Sequence, residues 1–193
     1  MGTSETAGNS SRIRRRRGLL ALARRLGTHQ RGVTMVEFAL IMLPFLLLVF
    51  GIFEVGLVTW GGLELDNATS DVARMVRTGQ AQGENYSEEQ MKEEVCEHVS
   101  LLFDCKTKLR IDVRTFPNFA SMTAPTPLDG KGLLKADFPC EMGGSESIVL
   151  MTTFYEWPLL NIVSSMSLSN MPNHDNYLLT ASAAFRNEPF ADK

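Results

Sequence analysis

The chain has 193 residues, with 19 basic and 22 acidic side chains and a formal net charge of −3. This length allows one domain with appendages, and the hydrophobic fraction of 44% is ordinary for a globular protein. The charge is unevenly placed, because residues 1–32 contain eight arginines and one glutamate, which leaves 11 basic and 21 acidic side chains for residues 33–193.

A long apolar stretch follows this basic segment, with no charged or amide side chain from Phe38 to Phe53. As an α-helix rising ~1.5 Å per residue, residues 33–60 would reach about 42 Å. That length crosses a hydrocarbon core of ~30 Å with some tilt. Trp60 falls where an interfacial aromatic anchor is expected. The sequence therefore predicts a transmembrane helix at residues 33–60.

The order of the two segments predicts the orientation of the chain. By the positive-inside rule, the arginines of residues 1–32 stay in the cytoplasm and the part beyond the helix is exported. An RNA-binding arm is the alternative for the basic segment, but the adjoining helix argues against it, and no nucleic-acid partner is expected. A secretory signal peptide is disfavoured, because the apolar run exceeds the about 7–15 residues of such a core.

Two residues at the start of the apolar run are unusual for a simple anchor. Glu37 places a carboxylate at the mouth of the run, where proximity to lipid costs on the order of 2–3 kcal/mol unless the group has a partner. Gly32 stands directly before the run, after Arg31. Arg31-Gly32 followed by Val33 to Phe38 resembles the prepilin-peptidase site of type IV pilin-like proteins. Glu-Phe at this point is similar to the TadE-like minor pseudopilins of tight-adherence (Tad) pilus systems.

This resemblance implies a role for each residue of the motif. A prepilin peptidase would cut between Gly32 and Val33, so that residues 1–32 are a basic leader peptide. Glu37, the fifth residue of the mature chain, would neutralise the new amine of a neighbouring subunit and, with Phe38, act in intersubunit assembly. In a low dielectric this pair would set axial register more than stability, because desolvation offsets much of the attraction. A snorkelling, unpartnered Glu37 is the alternative.

The predicted membrane helix, which would also be the polymerisation helix, contains Pro44, and proline usually kinks a helix. Glu54 is expected near the outer interface, with a role in subunit pairing as the alternative. Residues 61–80 should continue the helix outside the membrane, and Thr78-Gly79 fits a glycine stop. This continuation is predicted because apolar residues recur at steps of three and four: Leu65, Ala68, Val72 and Met75 or Val76.

Residues 81–193 are predicted to form an exported α+β domain. After a polar linker, Ser87 begins a second helix with Gln90 as its capping-box partner. That helix is expected to end near Asp104, with an apolar stripe that consists of Met91, Val95, Val99 and Leu102.

Three strands should follow the second helix, at 108–115, 148–157 and 177–186. In the first, charged residues such as Asp112 alternate with hydrophobic ones, which predicts a half-buried strand with the charged residues on its wet face. The second is β-branched and aromatic, and alternate residues of the third share one face. The Pro-, Gly- and Ser-rich stretch 117–147 is predicted to be a long loop, and residues 161–176 an irregular connection. The fold class is therefore α+β: a long N-terminal membrane or pilin helix, then a small helix and a three-stranded antiparallel sheet.

Three cysteines, Cys96, Cys105 and Cys140, lie beyond the membrane helix. A disulfide is plausible in an exported domain, and an odd number leaves one cysteine over. The resemblance to TadE-like proteins, which have two cysteines flanking the end of a helix, implies a Cys96–Cys105 pair. Cys140 is then a free thiol or an intermolecular link, and three reduced, buried cysteines are the alternative.

No catalytic constellation is visible in the sequence, which lacks a phosphate-binding glycine loop, a Gly-x-Ser-x-Gly elbow and a His-Glu-x-x-His motif. Cys96, His98 and Cys105 are a weak zinc candidate, because residues two apart on a helix face away from each other. The sequence therefore predicts no enzyme, no cofactor and no metal site.

The function predicted from the sequence is that of a minor pseudopilin in the assembly, initiation or tip of a Tad-type pilus, for surface adherence. Its expected partners are a prepilin peptidase, other pilins and pseudopilins, the pilus assembly platform in the inner membrane, and the lipid bilayer. The expected location is the inner membrane, with the C-terminal domain periplasmic or extracellular, and the pilus is a further expected location. Two rivals are an uncleaved single-pass binding module that uses the loop at 117–147, and a secreted enzyme with an uncleaved anchor.

Overall fold

The computed structural model describes residues 30–99, 103–160, 168–172 and 175–190. Most of the predicted leader lies outside the described residues, as do His29, Leu102 and His174 and most of the predicted connection at 161–176. The chain divides into two units between Gly51 and Ile52.

One long helix, α1 (Gln30–Arg77), begins the described part of the chain and extends through both units. Pro44 lies inside this helix, and the predicted kink at Pro44 stays a prediction. The helix contains the apolar run and then continues, past Trp60, into the amphipathic stretch. The long N-terminal helix of the predicted α+β fold is thus confirmed.

Gly79 ends α1. Its φ of +79° lies in the left-handed region that glycine adopts without strain, and the Gly79 N–H donates to the carbonyl of Val76. A side chain at Gly79 would also meet the ring of Phe190 at 2.6 Å. The predicted glycine stop is confirmed, but the polar linker after it is wrong in part. The short helix α2 (Gln80–Gly83) follows, and its Ala81 is buried in the core.

Helix α3 (Glu88–Glu97) begins with the predicted capping box. The Ser87 Oγ accepts from the Gln90 backbone N–H, and the Gln90 Oε1 accepts from the Ser87 N–H at 2.8 Å. The predicted end near Asp104 is wrong, because α3 ends with His98 as C-cap, whose N–H turns back to the carbonyl of Val95. A one-turn helix, α4 (Cys105–Lys108), then leads into the sheet.

The sheet has three antiparallel strands in the order β1 (Leu109–Phe116), β2 (Ile148–Pro158) and β3 (Asn176–Arg186). The register places Ile111 opposite Thr153, and Thr153 opposite Ala181. The three predicted strands are confirmed, with ends that differ by one residue.

The main core lies between one face of this sheet and the outer part of α1. The helix contributes the residues that the 3.6-residue period singled out, each at most 1% exposed: Leu65, Ala68, Val72 and Val76. The strands contribute residues of alternating positions, among them Ile111, Val113, Val149, Met151, Leu179 and Ala181. Burial of this stripe stabilises the helix–sheet contact by about 1.5–3 kcal/mol for each large side chain.

The stretch 117–147 is more ordered than a simple loop. It contains a 3₁₀ turn at Phe119–Ser121, and its later part pairs with the outer edge of β1, where the Val113 N–H donates to the Pro139 carbonyl and the Glu141 N–H to the Val113 carbonyl. It also supplies Phe138 to a second apolar cluster. This cluster, which consists of Phe138, Phe154, Met171 and Leu178, includes residues from the sheet face opposite α1.

Candidate functional site

The part of α1 that belongs to the first unit presents apolar side chains to its surroundings. Leu40 and Ile41, for example, are 71% and 72% exposed. Large apolar surface left in water is unfavourable by roughly 25 cal/mol per Å², so a surface of this extent marks contact with lipid or with other helices. The exposed large side chains of this unit are Met35, Val36, Phe38, Leu40, Ile41, Leu43, Phe45, Leu46, Leu48 and Phe50.

The predicted processing and assembly residues lie in the first three turns of α1. Gly32 and Val33 are helical in backbone, and Glu37 and Phe38 are exposed, Phe38 by 65%. Within the described part of the chain, Glu37 has no hydrogen-bond or ion-pair partner. The exposed side chain of Glu37 is accessible to a group from outside this chain, and the intersubunit role of Glu37 and Phe38 stays a prediction.

In the second unit, α1 packs closely against the end of β2. A Cβ at Gly61 would come within 2.7 Å of the Trp157 ring. That ring is 8% exposed and meets the Phe103 ring edge-on at 5.5 Å. Gly61 therefore lets the helix backbone approach an aromatic side chain that has little room to move.

Glu54 has a partner within its own chain. Its Oε1 accepts a hydrogen bond of 2.6 Å from the backbone N–H of Leu160. A subunit-pairing role is therefore not needed to explain how the Glu54 carboxyl group finds a hydrogen-bond partner. The sequence offered no sign of this contact, which joins residues more than 100 positions apart.

Asp112 was expected on the wet face of β1, since charges alternate with hydrophobic residues there, and this expectation is wrong. The residue is 1% exposed and accepts two 2.7 Å hydrogen bonds from the Nε and Nη2 of Arg114. The hydrogen bond to Asp112 raises the pKa of the Arg114 guanidinium. Residues two apart on a strand share a face, so this pair was visible in the sequence, but its burial was not.

The structure brings Cys96 and Cys105 together, with a disulfide bond and Cα atoms 5.8 Å apart. Cys140 is a free, half-buried thiol whose Sγ lies 3.6 Å from the Sδ of Met91. Burial raises the pKa of the Cys140 thiol, and the charge of Glu88 adds to this. Peptide mapping without reductant tests the pairing in the isolated protein.

The zinc candidate does not have the geometry of a metal centre. Cys96 and Cys105 are joined to each other, and His98 instead lies 3.9 Å from both Asp71 and Glu94. Among the residues that the structure describes, no three His, Cys, Asp or Glu side chains converge as metal ligands do.

In the described part of the chain, one N-terminal helix, Thr34–Arg77, is long and apolar enough to cross a membrane, and its outer part contributes to the core of a small α+β domain. These features define the class of protein: a small α+β domain that is carried on a candidate membrane-spanning helix.

The comparison with protein families gives a particular similarity. A family model described as TadE-like protein matches residues 32–74, which confirms the predicted resemblance over this segment. The match includes Gly32, Glu37 and the apolar helix, and it covers less than a quarter of the chain. Neither the curated proteins nor the solved structures include a significant match to this chain.

Proposed function

We propose that this protein is a minor pseudopilin that takes part in the assembly, initiation or tip of a Tad-type pilus. A prepilin peptidase removes the basic leader after Gly32, and Val33 becomes the N-terminus. The membrane helix then packs with the helices of other pilins and pseudopilins, while the α+β domain caps or decorates the assembly. The protein resides in the inner membrane with its N-terminus in the cytoplasm, its domain outside the cytoplasm, and the assembly platform as a neighbour.

The continuous exposed apolar surface of α1 is the observation that carries this proposal. It begins within three residues of Gly32 and lies in the segment that matches the TadE-like family. A helix that only anchored a domain would need lipid contact alone. A helix that enters a filament must exchange lipid for protein, and it needs a polar group that fixes its position among its neighbours.

Glu37 is suited to supply that group. Cleavage before Val33 creates a positive amine four residues from the carboxylate, and exposure of Glu37 allows it to reach the amine of another subunit. Away from water each unpaired charge is costly, so an arrangement of subunits in which every such carboxylate meets an amine is favoured over one that leaves either group alone. The pairing therefore favours one register of neighbouring helices.

The first experiment determines the N-terminus of the membrane-extracted protein, in cells with and without the prepilin peptidase. We expect Val33 in the first case and the leader retained in the second. Gly32→Val should block processing, since the site needs a residue without a side chain. Gly51→Ala is the matched control, because a Cβ there would meet no atom within 4 Å. A chain that keeps Gly32 internal in peptidase-containing cells would rule out the proposal.

A second experiment separates a filament subunit from an uncleaved binding module. Glu37→Ala should leave membrane insertion intact and abolish co-purification with other pilin-like proteins, whereas Thr34→Ala, three residues away on the same exposed turn, should leave both intact. An anchored binding module would be indifferent to both substitutions.

A further inference from the structure

The short segment that leaves β2 lies along the helix that bears the membrane span. Near the end of β2, Trp157 packs against Gly61. Three residues later, the Leu160 N–H is bonded to the Glu54 carboxyl group. The second contact is seven helix residues closer to the N-terminus of α1 than the first, which corresponds to about 10 Å along the axis.

An extended chain of three residues covers about this distance, so a segment that runs along the helix can join the two contacts. Pro158 and Leu160 are exposed, and Leu159 is half-buried against the core. Pro158–Leu160, here called the descending segment, therefore begins at the last residue of β2 and ends at the exposed Leu160, which is attached to α1.

The surface of α1 is apolar around Glu54, where the descending segment ends. Trp60, the expected interfacial anchor, lies six residues further along α1 than Glu54, about 9 Å nearer the domain. Around Glu54 the helix exposes large apolar side chains: Ile52, Phe53, Val55 and Leu57. The Leu160 side chain is itself 65% exposed. It thus extends the apolar surface of the span instead of the polar surface of the domain.

The Glu54–Leu160 hydrogen bond resolves two problems that arise only away from water. A carboxyl group near lipid costs on the order of 2–3 kcal/mol, and an unpaired backbone N–H there costs several kcal/mol. The 2.6 Å contact satisfies one group with the other. Pro158 removes a further problem, because proline has no N–H that would need a partner.

We propose that the descending segment is a second membrane-contacting element, which places Leu160 at the boundary between the headgroups and the acyl chains of the bilayer. This inference rests on the membrane anchoring in the proposed function, and it adds that the domain meets the membrane at two points. Two contacts restrict the tilt of the domain on its helix, which a single span does not.

Fluorescence quenching in lipid vesicles tests this placement. The full chain is prepared with Cys140→Ser. Because Cys96 and Cys105 are joined in a disulfide, an introduced cysteine is then the reactive thiol. Leu160→Cys and, as the control, Phe119→Cys are labelled with a small environment-sensitive fluorophore. Phe119 is 54% exposed and follows the end of β1, which lies at the opposite end of the sheet from Leu160. Vesicles of three parts phosphatidylcholine and one part phosphatidylglycerol contain lipids with a nitroxide at a shallow or a deep acyl position.

We expect shallow nitroxide lipids to quench the Leu160 label at least threefold more than the Phe119 label, and aqueous iodide to show the reverse. Equal iodide quenching at both sites, without lipid quenching at Leu160, would overturn the inference. Protection of the Leu160 label from both quenchers would also overturn it, since the site would then be covered by protein.

Two substitutions at Glu54 test the hydrogen bond that holds the segment. Glu54→Ala should bring iodide quenching at Leu160 close to the Phe119 value, whereas Glu54→Gln keeps an acceptor oxygen and should preserve the protection. If Glu54→Ala left the depth of the label unchanged, the proposed attachment would be wrong. These measurements need no peptidase and no pilus partner, so they fail or succeed independently of processing at Gly32.

Discussion

Asp112 shows how one residue can be misjudged from a local pattern. Its neighbours alternate between charged and apolar, which predicts a half-buried strand with Asp112 on the wet side. The prediction fails because the stretch 117–147 supplies apolar residues to the opposite face of the sheet, and no local periodicity indicated this return. The buried carboxylate is tolerated because Arg114 donates two hydrogen bonds to it.

Removal of Arg114 should therefore be more costly than removal of an ordinary surface charge. Arg114→Met leaves the Asp112 carboxylate buried and unpaired, and we expect a loss of about 1–2 kcal/mol in the free energy of unfolding, moderated because the arginine itself is half-exposed. Arg186→Met is the matched control, since its pair with Glu146 is exposed on both sides and should contribute under about 1 kcal/mol. Urea unfolding of the full chain in detergent, followed by near-ultraviolet circular dichroism, measures both. Equal losses would show that burial of Asp112 has no energetic consequence.

At the scale of elements, the close contact between α1 and β2 depends on a glycine. Helical glycine lowers stability by about 1 kcal/mol relative to alanine, so Gly61 would be a weakness if nothing required it. The Trp157 ring requires it, because a Cβ would lie 2.7 Å from the ring carbon Cζ3. The sequence contains four glycines between residues 51 and 62, and nothing in their spacing showed which one faces an aromatic ring.

Gly61→Ala should accordingly destabilise the protein by about 1–3 kcal/mol, the range for overpacking of a close contact. Gly56→Ala should be neutral or slightly stabilising, because no atom lies within 4 Å of its Cβ position. Thermal unfolding of both variants in detergent compares them directly, and a midpoint several degrees lower for Gly61→Ala alone is expected. A fall of the same size in both variants would trace the effect to the helix itself.

At the scale of the molecule, sequence reasoning succeeded wherever a strong period or a cap determined the outcome. The apolar run, the stripe from Leu65 to Val76, the Ser87 capping box and the three strands follow from local rules, and the structure has them all. Contacts that join distant parts of the chain were missed: the second cluster around Phe138, the burial of Asp112 and the Glu54–Leu160 bond. Each depends on how an irregular stretch returns to the domain, which no periodicity encodes.

The charge asymmetry of the whole chain leads to a prediction about its orientation. In the proposed topology, replacement of Arg14, Arg15, Arg16 and Arg17 by glutamine should weaken the signal that keeps the N-terminus in the cytoplasm, so that some domains are retained inside the cell. Digestion of spheroplasts with protease, followed by immunoblotting of the domain, measures the protected fraction. Replacement of Lys131 and Lys135 by glutamine is the control, because long exported domains hardly influence orientation. An unchanged protected fraction in the arginine variant would refute this role of the leader.

Helix α1 contains both the candidate membrane span and part of the core of the domain, and this has a consequence for the synthesis and folding of the chain. Its outer half is synthesised early, yet Leu65 and its neighbours are covered by strand residues such as Leu179 and Ala181, more than 100 positions later in the chain. Contacts so distant in sequence form late. In the proposed topology, the apolar stripe therefore has no permanent cover until β3 has crossed the membrane. A chain stalled in translocation would then expose this stripe, which would make it a target for chaperones and proteases.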